Sequence, residues 1–122
     1  MKRFLALAVA LVLTACGSSI NGTWVGTEVP QGGYASSTAT QATATLNANG
    51  STITGTFTSG ILRSTGQVTG AYNGNTITSL SITFTGGSCP TPVSGSGSVN
   101  GNTMTLSLTG CGLTETVQLQ KQ

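Results

Sequence analysis

The chain has 122 residues, of which four are Lys or Arg and two are acids, with no His and 18 Gly. A net charge of +2 is too small for a basic stripe that displaces counterions from phosphates, and no polybasic patch for anionic headgroups occurs. With no His and no Asp, His-based triads, imidazole zinc sites and carboxylate calcium loops are excluded.

In chain order, Lys2 and Arg3 lead into the unbroken apolar run Phe4–Leu13, followed by Leu13-Thr14-Ala15-Cys16. Two cations, a short apolar segment and small residues before a cut predict a cleaved secretory signal peptide over residues 1–15. The run is about half the length a bilayer-spanning helix needs, so it is not read as a permanent anchor. Leu13-Thr14-Ala15-Cys16 resembles the lipobox of bacterial lipoproteins. That resemblance implies cleavage just before Cys16, a diacylglycerol on its thiol and a further acyl chain, palmitate or similar, on the freed amine. Cys16 would then be the lipidated N-terminus, residues 16–21 the anchor and linker, and residues 22–122 the folded domain. An ordinary signal with a chance Cys is the other reading. Gly17 after the Cys, where Asp would signal retention, is similar to outer-membrane lipoproteins and implies that address in the cell envelope. Cleavage leaves Arg63 and Lys121 against Glu28 and Glu115, a net charge of zero.

From residue 22 onward β-branched residues alternate with small ones and no helical period appears, which predicts an all-β domain. Strands are expected over 22–29, 40–47, 52–59, 65–72, 76–85, 92–99, 103–109 and 113–121. The strongest organising signal is a repeat: Asn49-Gly50-Ser51-Thr52-Ile53-Thr54 is echoed at Asn73–Thr78 and at Asn100–Thr105. Asn-Gly suits both central positions of a type I′ hairpin turn. This placement would set Leu46 opposite Ile53, Ala44 opposite Gly55 and Ala42 opposite Phe57. Around the third turn it would set Gly97 opposite Met104, Gly95 opposite Leu106 and Val93 opposite Leu108. Ile77 and the set Leu80, Ile82 and Phe84 have opposite parity, so a bulge near Thr78-Ser79 is needed to bring them to one face. Interior glycines are read as permitting curvature.

Eight antiparallel strands in simple succession predict a single up-and-down meander barrel, expected to be monomeric because closure removes the sheet edges. Gly22-Thr23-Trp24 at its start resembles the Gly-x-Trp signature of the calycin, or lipocalin-like, barrels. In that family the Trp plugs the closed end and packs against a cation on the last strand, a role that the resemblance assigns to Lys121. The chain departs from lipocalins in its shortness and in lacking their C-terminal helix and further motifs, so their ligands are not implied. Avidin-like barrels also open with Gly-Thr-Trp, but their biotin pocket uses several tryptophans and this chain has one.

Cys89 and Cys111 flank the third repeat nearly symmetrically, and in an oxidising envelope they are expected to form a stapling disulfide. Trp24, Gly26 and Glu28 share one strand face, as do Glu115, Val117, Leu119 and Lys121. Barrel closure therefore predicts that Glu28 and Glu115 point inward at one end, with Arg63 and the loop carrying Tyr34 beside them. These four residues form the candidate ligand site, and the alternative is that Glu28, Glu115 and Arg63 pair as ions at a wet rim. No catalytic residue, metal or cofactor is expected, no nucleic-acid partner is expected, and an enzyme is not expected. Glycoside hydrolysis by the two carboxyls lacks accompanying sugar-stacking aromatics. The expected function is binding of a small apolar ligand at the mouth of a lipid-anchored barrel. The alternative is a structural or interaction role with the barrel filled by its own side chains. Cavity volume separates the two, since a ligand pocket needs roughly 300 Å³.

Overall fold

A computed structural model describes residues 20–31, 39–85, 89 and 92–122. The segment expected to be a signal peptide, Cys16 and Tyr34 lie outside the described residues. The strands are β1 (Gly22–Gln31), β2 (Thr40–Asn49), β3 (Thr52–Ser59), β4 (Ser64–Asn73), β5 (Thr76–Phe84), β6 (Val93–Asn100), β7 (Thr103–Gly110) and β8 (Leu113–Lys121). Each pairs antiparallel with the next, and β8 returns to β1, so the meander closes into an eight-stranded barrel. Its all-β architecture, one closed antiparallel meander barrel, is consistent with a calycin-like fold. Alternate residues along each strand face the interior, where Trp24, Ile53, Phe57, Ile77, Ile82, Met104, Leu106, Leu108, Val117 and Leu119 are essentially inaccessible.

The hairpin register differs from expectation by two residues. Asn49 pairs with Thr52, Asn73 with Thr76 and Asn100 with Thr103, so each Asn ends its strand rather than sitting within the turn. The two-residue loops are Gly50-Ser51, Gly74-Asn75 and Gly101-Asn102, and only the glycines have positive φ, at 65°, 63° and 63°. A glycine at the first central position with positive φ is the requirement of a type II′ turn, and it spares Asn the left-handed conformation. The partners become Ala44↔Phe57, Leu46↔Gly55 and Ala42↔Ser59 in one hairpin, and Gly97↔Leu106, Gly95↔Leu108 and Val99↔Met104 in another. A shift of two keeps every side chain on its own face, so the inward set is the expected one. Positive φ at both central residues is found instead between β7 and β8, at Cys111 (56°) and Gly112 (70°).

The expected bulge is present. The β4–β5 register slips between Ala71 and Tyr72, and the β5–β6 register slips between Ile77 and Leu80, which together make Thr78-Ser79 the bulge. The Thr78 hydroxyl donates to the Ala71 carbonyl at 3.2 Å there, and Ile77, Leu80, Ile82 and Phe84 are all buried. Interior glycines face large residues. A Cβ on Gly95 or Gly97 would strike the Ser107 or Thr105 carbonyl, and the Leu108 or Leu106 side chain folds over the vacated position.

At the end carrying the three Gly-first turns, Trp24 is fully buried and its indole N–H donates to the Ile20 carbonyl at 3.0 Å. Lys121, its β8 partner in register, places Nζ 5.6 Å from the ring centroid. This is the plug-and-cation arrangement that the Gly-x-Trp resemblance implies, and it seals that end of the barrel.

Candidate functional site

The opposite end holds the polar residues. Glu28 leaves β1 inward and Glu115 leaves β8 inward. Because Pro30 pairs with Glu115 and Glu28 with Val117, the two side chains sit two positions apart across the β1–β8 seam. Glu28 is wholly buried and Glu115 is 4% exposed, so neither lies at a wet rim. The cause is the period of the strands: each occupies the same parity as its apolar neighbours, and the β3–β4 turn lies over them.

Glu28 is surrounded by donors. The Ser59 hydroxyl lies 2.9 Å from Oε2 and 3.1 Å from Oε1, the Gly60 N–H donates to Oε1 at 2.7 Å, and the Ile61 N–H donates to it at 3.3 Å. Thr40 adds its hydroxyl from β2 at 3.3 Å. Ser59 also accepts from the Leu62 N–H at 3.0 Å, so one serine joins the carboxylate to the backbone of the turn. Every neighbour donates, which makes Glu28 the acceptor of the carboxyl pair. Glu115 therefore holds the proton. Its pKa is pushed up to about 9, first by burial, then by its hydrogen bond to Glu28 and by the negative charge there.

Glu115 Oε2 has no hydrogen-bond partner among the described residues. It borders a cavity of about 10 Å³, whose other walls include Phe57, Leu62, Phe84, Leu108 and Ser59. That space is about the size of one water molecule. This cavity is far smaller than the roughly 300 Å³ that a carrier needs. Nor can a saccharide enter between two carboxyls that are hydrogen-bonded to each other, since glycosidase carboxyls stand about 5 Å apart or more.

The structure brings together two of the four expected ligand residues. Arg63 is exposed in the β3–β4 turn with φ of 53°, and it makes no ion pair with either glutamate among the described residues. Tyr34 is outside the described residues. Ser59, Thr40 and the Gly60 and Ile61 amides were not anticipated as parts of the site. For Ser59 the signal exists: Ile53, Gly55, Phe57 and Ser59 share a parity, so a hydroxyl stands at the last inward position of β3. The expected Cys89–Cys111 disulfide is present, with Cα atoms 5.5 Å apart, and it fastens the chain after β5 to the β7–β8 turn at this same end. Among the described residues no cluster of three or more His, Cys, Asp or Glu side chains is placed to hold a metal ion.

Comparison with protein-family models, with curated proteins and with solved structures returned no match.

Proposed function

We propose that this chain is a lipid-anchored cell-envelope protein whose barrel is a filled scaffold rather than a carrier. The observation that carries the reading is the interior itself, in which apolar side chains leave about 10 Å³ beside Glu115. The role is then structural or interactive, exerted through a wall of Thr, Ser, Asn and Gln side chains. The anchor rests on the lipobox-like Leu13-Thr14-Ala15-Cys16 and its preceding apolar run. Under that reading residues 17–21 span at most roughly 17 Å, so the Trp24 end of the barrel stays near the bilayer and the carboxyl end faces away.

A native mass spectrum of the mature protein, gently extracted from its own membranes, tests both halves. The expected mass carries three acyl chains on Cys16, lacks two hydrogens for the Cys89–Cys111 bond and shows no further adduct. A stoichiometric adduct that leaves on activation would overturn the filled-scaffold reading, and an unacylated mature chain would overturn the anchor.

A further inference from the structure

We propose that the proton held between Glu115 and Glu28 is a latch: it keeps the β3–β4 turn closed over the barrel mouth, and its loss frees the turn and uncovers the apolar lining beneath. The inference rests on the carboxyl pair alone and does not require the lipid anchor.

The geometry makes this pair the polar junction of the mouth. Glu28 collects hydrogen bonds from β2 through Thr40, from β3 through Ser59, from the turn through Gly60 and Ile61, and from β8 through Glu115. Removing the Glu115 proton would leave two buried carboxylates facing each other with one donor fewer. Glu115 Oε2 already has no partner among the described residues, and the adjoining cavity of about 10 Å³ has room for a single water. A second negative charge there cannot be hydrated without opening the structure.

Which element yields follows from how each is held. Glu115 stands on β8, which is paired along its length with β1 on one side and β7 on the other. The turn at residues 60–63 has no strand partner, and the Gly60 and Ile61 amides are tied to Glu28 itself. Segments with few buried contacts and local hydrogen bonds open first. Release of the turn withdraws Leu62 from the cavity wall and exposes Phe57, Phe84 and Leu108.

No other described group competes for this proton. Glu28 from β1 faces Glu115, and Cys111 beside β7 is bound in the disulfide. The linings from β3, β5 and β6 (Phe57, Ser59, Phe84 and Val93) carry no charge, and Arg63 on the turn is exposed. In the closed state the Glu115 pKa is raised from 4.5 to about 9. Opening therefore releases a proton, and each pH unit between those values favours the open turn about tenfold.

Amide hydrogen exchange on the full chain tests the latch, read as protection factors so that intrinsic pH dependence cancels. For Gly60 and Ile61 the expected protection falls about tenfold per pH unit between pH 5 and pH 9, and by less than about twofold over that range in Glu115→Gln. The Tyr72 and Val99 amides, which bond Ser51 and Asn75 carbonyls at the other end, should stay at least about tenfold more protected throughout. A flat profile for Gly60 and Ile61 overturns the latch. So does protection of Gly60 and Ile61 equal in level to that of Tyr72 and Val99, which would mean that the turn opens only when the whole barrel unfolds. Should Glu115→Gln fail to fold, carboxyl ¹³C shifts of the unaltered protein decide, because Glu28 and Glu115 are its only acidic side chains. Alkaline titration of Glu115 is expected, and titration in the ordinary carboxyl range overturns the proposal.

Discussion

The Ser59 hydroxyl sits between both oxygens of the Glu28 carboxylate, at 2.9 and 3.1 Å, while its own oxygen accepts from Leu62. One small side chain thus satisfies a buried acid and a turn amide together. Ser59→Ala removes a donor from one and an acceptor from the other without changing volume much. The expected loss is about 1–3 kcal/mol, read as a lower urea midpoint with an unchanged slope. A midpoint equal to that of the unaltered protein would mean that the serine is incidental.

Global stability should depend on pH through Glu115. Its pKa lies near 4.5 when unfolded and is raised to about 9 when folded, so between these values the folded protein binds the extra proton. Stability is accordingly greatest on the acid side and is lost as pH rises, on the order of 1 kcal/mol per unit. Glu115→Gln cannot ionise and should flatten that slope, leaving the variant more stable than its parent at pH 8. Urea unfolding at pH 5, 7 and 9 for both proteins measures it.

The sealed end offers a contrast of magnitudes. Trp24→Ala removes the largest fully buried side chain and should cost about 3–5 kcal/mol. Lys121→Met retains an apolar stem but loses the cation over the ring, a change of about 0.5–1 kcal/mol. Thermal unfolding of the two variants should keep that order.

Gly97 and Gly101 separate space from conformation. A Cβ at Gly97 meets the Thr105 carbonyl and Leu106, whereas at Gly101 it meets nothing but φ is +63°. Gly97→Ala should lose about 1–3 kcal/mol by overpacking. Gly101→Asn, which tolerates the left-handed region, should lose less than Gly101→Val does, and calorimetry of the three variants would show it.

Removing the staple by Cys89→Ser should cost about 2–4 kcal/mol, with Cys111→Ser giving a similar loss because the same bond is removed. A larger loss in Cys89→Ser under reducing conditions than under oxidising ones would contradict a bond present at rest.

Strand positions were legible because β-branched and small residues alternate with a period of two, and the bulge was legible because Ile77 and Leu80 clash in parity. The turn register was not. Asn-Gly satisfies the chemistry of a I′ turn and Gly-Ser or Gly-Asn that of a II′ turn, and the two solutions differ by two residues while burying the same face. The meeting of Glu28 with Glu115 followed from closing β1 on β8. Their burial did not, because it depends on how residues 59–62 fold back, and on backbone amides that no residue identity announces. Arg63 looked like their counter-ion by loop position, yet charge type says nothing about which way a turn aims its side chain.

Both acids of the sequence point into the barrel. The wall that meets solvent therefore displays hydroxyls and amides but no side-chain anion, with Arg63 and Lys121 as its charges in the barrel domain. Neighbouring copies would not repel through side-chain carboxylates, and divalent cations would find no side-chain carboxylate on that wall to cross-link. The surface behaves as a sparsely charged, hydroxylated coat whose hydration does more than its two cations to keep copies apart.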